Sequence, residues 1–205
     1  MPHELHNKTH FEQLYAGKAP WDIGRPQPAF VEAAPRVTGS VLDVGCGTGE
    51  NALFFAERGQ QVAGIDFLKG PIAEASRKAR ERGVPATFRV MDALDVNTIS
   101  EDFDSVIDCG LFHTFSDDDR RRYVTALAGV VKPNGRLFLL CFSDKEPAGD
   151  GPRRVSQGEI HDSFASGWDV ESIQESRFEI RPDLEDIQFS EGGPRAWFCV
   201  IRRAE

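Results

Sequence analysis

Short apolar runs alternate along this chain with helix-like stretches, and that order predicts the fold. "SVLDVG" (40–45), "QQVAGID" (60–66), "ATFRVMD" (86–92), "FDSVIDCG" (103–110) and "RLFLLCFS" (136–143) are each a few residues long and rich in Val, Ile, Leu or Phe. They read as buried strands. Helices are expected between them over 49–58, 71–82 and 116–130. The second carries Pro71 near its first turn and Gly83 past its end, and the third opens on Ser116 followed by three aspartates. Shorter helices are expected over 9–17, 27–34 and 156–165. "KPNG" (132–135) stops the third helix, and 144–157 is a Gly- and Pro-rich loop. "WDVESIQESRFEI" and "AWFCVIRR" close the chain without a helix between them, so they pair antiparallel.

Strands alternating with helices give a parallel sheet with right-handed crossovers. The expected fold is an α/β, Rossmann-like three-layer sandwich: seven strands, mostly parallel, the last antiparallel. It is read as one domain over 1–205, with an N-terminal arm or lid (1–37), a core (38–143), and a loop, helix and strand pair (144–205). The 205 residues are enough for a full core.

In such sheets ligands bind where strands end. Here β-like runs end at Asp43, Asp66, Asp92 and Asp108-Cys109, so carboxylates ring one edge of the sheet. The first run continues into "GCGTGE", with Gly45, Cys46, Gly47, Gly49 and then Glu50. A dinucleotide loop has its third glycine three after the second, where this chain has Glu50; no Lys-Ser/Thr pair follows, as a phosphate-cradling loop requires. Acids beside the loop suit a ligand with positive charge and hydroxyls. Asp66 stands 17 residues after Gly49, a spacing at which an acid takes ribose hydroxyls. Asp92, followed by Ala93, suits an adenine amine, with Phe67 and Met91 about the ring. S-adenosylmethionine satisfies all these groups, and S-adenosylhomocysteine is then the product. Plain readings stand beside these: Asp66 and Asp92 as helix caps, Asp43 as a brace for the loop's N–H groups.

"VLDVGCGTGE" with "GID" and "MDA" resembles the class I S-adenosylmethionine-dependent methyltransferases over residues 38–143. "YAGKAPWDIGRPQPAF" (15–30) resembles the N-terminal segment of a small-molecule subgroup. That subgroup holds thiopurine, thiol and halide, tellurite-resistance-type and heterocyclic-toxin methyltransferases. "DCGLFHTFSDDDR" is most similar to its heterocyclic-toxin members. The resemblance implies methylation of a small aromatic or heterocyclic molecule at O, N or S. It places Trp21 by the cofactor's methionyl part, with Arg25 reaching for a carboxylate. The acceptor then lies near Phe112, His113 and Phe115. His113 is the candidate catalytic residue, as a base or as an orienting group, against a loop histidine bonded to backbone. Both phenylalanines also read as core. Thiol or halide methylation, a nicotinamide-dependent oxidoreductase and a non-catalytic cofactor sensor are the alternatives.

A net charge of −9 weighs against a nucleic-acid partner, and "DCGL" stands where many nucleic-acid amino-methyltransferases carry an Asn/Asp-Pro-Pro-Tyr/Phe motif. Four scattered cysteines and no apolar leader or membrane-length run point to a cytoplasmic protein; monomer and homodimer both stay open. Cys109 with His113 at i+4 lacks a third orienting group for nucleophilic work. His3, His6 and His10 share a helical spacing, but terminal segments make poor metal sites, so no metal is expected.

Overall fold

A computed structural model describes residues 8–17, 19–149, 151–183 and 189–205. Its elements are α1 (Lys8–Ala16), α2 (Pro28–Ala33), β1 (Val41–Val44), α3 (Glu50–Glu57), β2 (Val62–Asp66), α4 (Lys69–Arg82) and β3 (Ala86–Val90). There follow β4 (Phe103–Cys109), α5 (Asp117–Leu127), β5 (Val131–Phe142), α6 (Gln157–Ser163), β6 (Trp168–Arg177) and β7 (Arg195–Arg203). One seven-stranded sheet runs β3-β2-β1-β4-β5-β7-β6. Strands β1 to β5 pair in parallel, and β7 lies antiparallel to both β5 and β6. The expected sandwich with its antiparallel last strand is therefore present.

β1 sits mid-sheet and is buried at all four positions, which explains its unbroken apolar run. Its alternation splits the core. Leu42 and Val44 face a cluster with Tyr123 and Leu127 of α5 and Ile160 of α6. Val41 faces Phe30 of α2 and Ala52 and Phe55 of α3. Each such fully buried large side chain contributes about 1.5–3 kcal/mol. Residue 43 shares a face with Val41, which aims the one acid of this strand at α3.

Side-chain caps and a proline set the helix starts. Ser116 accepts the Asp119 N–H, and Ser156 with Glu159 forms a reciprocal capping box on α6. α2 starts at Pro28 with Gln27 as its N-cap. The "KPNG" expectation is corrected in detail. α5 ends at Leu127, and β5 already begins at Val131, so "KPNG" lies within the strand. Phe103 pairs with Val131 and Ser105 with Arg136, so the turn signals form a bulge, with Asn134 at φ 64°. No helix among the described residues is long and apolar enough to cross a membrane.

Candidate functional site

The loop after β1 is built from positive-φ backbone. Gly45, Gly47 and Gly49 have φ of 72°, 53° and 85°. Gly49 caps α3, and a Cβ there would stand 2.8 Å from the Ala75 methyl and 3.1 Å from the Phe88 ring. Shape is therefore fixed by glycine at this position.

Two acids brace the loop from below. Asp66 Oδ2 accepts the Gly47 N–H (3.1 Å) and Oδ1 the Leu68 N–H (2.9 Å). Asp43 Oδ2 accepts the Ala52 N–H at the start of α3 (3.1 Å), and its buried Oδ1 has no partner among the described residues. Burial pushes the Asp43 carboxyl up to about 8, and the neighbouring Asp108 and Asp66 add to the rise. Asp92 caps the turn after β3 by accepting the Leu94 N–H (2.9 Å). The Ala93 methyl packs in the core. Cys46 fills space against Gly64, whose Cβ position lies 3.0 Å from its Sγ. Burial raises the thiols of Cys46 and Cys109, so neither is a thiolate nucleophile.

Two acids behave differently from expectation. Asp108 is fully buried and turned inward: Oδ1 accepts from Leu111 N (2.9 Å) and Phe112 N (3.2 Å), Oδ2 from the Tyr123 hydroxyl (2.9 Å). Its side chain shapes the turn after β4 rather than facing a ligand, because three internal donors hold it. Glu50 turns to α4, where Lys78 (2.8 Å) and Arg82 (2.8 Å) neutralise it. It pins α3 to α4, so it is not the acidic flank that its place in sequence suggested.

The N-terminal arm lies over the loop. A Cβ at Gly47 would collide with the Tyr15 hydroxyl. That hydroxyl accepts the Trp21 indole N–H (3.0 Å), and Trp21 is 37 % exposed, so it is not a core anchor. The Phe11 ring stands 5.8 Å edge-on from both Trp21 and Phe67. Asp22 accepts from Thr48 within the loop (2.9 Å). Sequence reasoning missed Phe11 and Tyr15; the available signal was two aromatics at i,i+4 on an otherwise polar helix. It also missed Gln27, a buried amide that donates to Glu179 O (2.9 Å) and accepts from Glu179 N (2.9 Å). Arg25, expected to reach a ligand carboxylate, is instead paired with the protein's own Glu179 (3.0 Å). His3 and His6 lie outside the described residues, and the His10 ring meets Phe11.

At the ends of β4 and β5 stands His113, 6 % exposed. Its Nδ1 accepts the Phe142 N–H (3.0 Å), which assigns the proton of the neutral ring to Nε2. Burial, then Arg120 and Arg154, push its pKa down to about 3. The ring is neutral at physiological pH and offers a donor, not a base. Phe142 (5.1 Å) and Phe178 (5.8 Å) stand edge-on to it, and Phe189 meets Phe142 at 5.6 Å. Phe112 and Phe115, expected to wall an acceptor, are fully buried instead. Phe112 packs under the Arg120 guanidinium and against Phe164, and Phe115 against Tyr123. The aromatic surround is thus Phe142 and Phe178, at the ends of β5 and β6, with Phe189 of the β6–β7 connection behind Phe142.

Residues 41–135 match the family model described as "Methyltransferase domain". The 2-heptyl-1-hydroxyquinolin-4(1H)-one methyltransferase of Mycobacteroides abscessus is 33 % identical over 196 residues, spanning 89 % of this chain and 85 % of that protein. A solved structure described as "Conversion of a Disulfide Bond into a Thioacetal Group during Echinomycin Biosynthesis" is 37 % identical, with a TM-score of 0.83 over 97 % of this chain and 93 % of that one. Magnesium protoporphyrin IX methyltransferase from Synechocystis PCC 6803, solved with S-adenosylmethionine bound, shares the fold at 20 % identity, with a TM-score of 0.63 over 85 % of this chain and 74 % of that one. The chain belongs to the class I S-adenosylmethionine-dependent methyltransferases.

Proposed function

We propose that this methyltransferase methylates a small aromatic or heterocyclic acceptor at O, N or S, held beside His113. The observation that carries this reading is the neutral His113, its Nε2 without a protein partner among the described residues and phenylalanines about its ring. The Mycobacteroides relative, named for a hydroxyquinolone, supports the acceptor class. The charge of −9 and the reduced state of all four cysteines support a small-molecule enzyme of the cytoplasm rather than a nucleic-acid enzyme.

The strand-end residues fit S-adenosylmethionine, which supplies the methyl group already activated on its sulfonium. Asp66 ends β2 and Asp92 follows β3, which places their carboxylates for ribose hydroxyls and the adenine amine. Phe67 flanks the base. The Gly45–Gly49 backbone and the orphaned Asp43 Oδ1 offer acceptors for a cationic amino-acid end. The arm through Trp21 and the 144–157 loop form the lid that excludes water. His113 donates from Nε2 to the acceptor atom, which orients a group that arrives already ionised.

A methyl-transfer screen over hydroxyquinolones, thiols, thiopurines, phenols and halides tests the reading through S-adenosylhomocysteine release. Turnover of at least one ring acceptor is expected. Confirmed cofactor binding with a uniform blank would leave a cofactor sensor instead. With S-adenosylmethionine saturating and an acceptor ionised throughout, the rate is expected to stay flat from about pH 5 to 8, because His113 does not titrate there. His113→Phe is expected to lose roughly 10- to 100-fold in kcat/KM, the worth of one hydrogen bond to a charged group. An unchanged rate would remove the donor role. Cofactor binding is also expected to release close to one proton at pH 7. Asp43, held up near 8 by burial, gives up its proton when a cation arrives. Calorimetry in buffers of different ionisation enthalpy measures this, and buffer-independent heats would refute it.

A further inference from the structure

A cleft of about 640 Å³ opens between α2 and the ends of β5, β6 and β7. Pro28 and Ala29 form one wall, and Phe178 is shared with the ring of His113. Arg177 and Arg195 both line the cleft, and they are direct cross-strand partners in β6 and β7. Like charges placed opposite each other destabilise a strand pair. Glu175 lies in the field of Arg195, but its carboxylate is held first by Lys145. Arg177 donates to the Gly193 carbonyl (2.7 Å) and Arg195 to the Lys145 carbonyl (3.5 Å). Neither has a carboxylate at ion-pair distance among the described residues. The acids nearby are engaged elsewhere, Glu175 by Lys145 and Glu179 by Arg25. Glu32 stands across the cleft on α2, so an anion is favoured on the strand side.

We propose that this cleft is the second half of the acceptor site and that Arg177 and Arg195 hold a carboxylate borne by the acceptor. The inference rests on the reading of the acceptor as a ring beside His113. Arg177, Phe178 and Glu179 are consecutive, so the same short segment presents a cation to the cleft, a ring to His113 and a carboxylate to Arg25 of the arm. A paired-arginine fork matches a carboxylate in shape as well as charge. The acceptor class is therefore a flat heterocycle carrying a carboxylate on the side away from the methylated atom.

The test compares 4-hydroxyquinoline with a carboxylate-bearing 4-hydroxyquinoline, by equilibrium binding to the full chain with S-adenosylhomocysteine present and, separately, by turnover. The carboxylate compound is expected to bind at least tenfold tighter, with the preference shrinking at high salt. In the Arg177→Gln/Arg195→Gln double variant the ratio is expected to fall to about one. Equal binding by the unaltered protein, or a preference that survives in the double variant, would overturn the proposal. Binding with the expected preference but no methyl transfer to either compound would instead sink the catalytic reading and leave the cleft standing.

Discussion

Replacing Asp66 with alanine is expected to lower the affinity for S-adenosylmethionine by at least about 100-fold. Hydrogen bonds to an ionised acceptor are each worth about 1.5–3 kcal/mol, and two ribose hydroxyls at one carboxylate reach that factor, about 2.7 kcal/mol. The same carboxylate accepts the Gly47 and Leu68 N–H groups, so alanine also loosens the loop that the cofactor's amino-acid end meets. Asp66→Asn separates the contributions. One amide oxygen still serves one of the two N–H groups, while the NH₂ opposes the other and the charge is gone. A tenfold or larger loss is expected there too. Calorimetric titration together with a melting curve of each variant checks this. Affinity within threefold of the parent for both variants would remove Asp66 from the cofactor site.

The largest effect on stability is expected at Asp108. Alanine there strands the Phe112 N–H and the Tyr123 hydroxyl in the core and the partly buried Leu111 N–H. Each buried polar group left unpaired costs about 1–3 kcal/mol, so a loss of roughly 3–9 kcal/mol is expected, a large share of a domain's stability. Asp108→Asn keeps an oxygen for the two N–H groups, and the Tyr123 hydroxyl rotates to accept, so most stability is retained. The pair differ in pH dependence as well. Burial pushes the Asp108 carboxyl from 3.8 up to about 6, so the folded state holds its proton where the unfolded chain has lost it. Between about pH 4 and 6 the folded state binds more protons, and its contribution to stability falls as pH rises. That part of the slope is expected to vanish in Asp108→Asn. Urea titrations at pH 4, 5 and 6 read it. An alanine variant as stable as its parent would show that Asp108 does not hold the turn.

The strands and their order of appearance were legible because buried parallel strands need continuous apolar runs, and "SVLDVG" or "FDSVIDC" has little other reading. The ring of acids at the strand ends was legible for the same reason: register fixes where a strand stops. What a given acid does there was not. Asp66 and Asp108 look alike in sequence, yet one meets the glycine loop and the other meets Tyr123, which is 15 residues away on α5. Glu50 looked like part of the site until α4 brought Lys78 and Arg82 to it. The aromatics were misassigned on the same ground. "GLFHTF" places two phenylalanines beside His113 along the chain, but its ring neighbours Phe142 and Phe178 come from other strands, and local spacing carries no trace of them.

The double hydrogen bond between the Gln27 amide and the Glu179 backbone has a thermodynamic consequence. Gln27 belongs to the arm that runs through Trp21 to the glycine loop, and Glu179 follows the phenylalanine against His113. Under the proposed function, closing the arm on S-adenosylmethionine would therefore settle the wall of the acceptor site. Linkage is reciprocal: by whatever factor bound S-adenosylmethionine tightens the acceptor, bound acceptor tightens S-adenosylmethionine. With so short a mechanical connection, the two binding equilibria that this reading implies would form one cycle, in which neither affinity has a single value until the occupancy of the other site is stated.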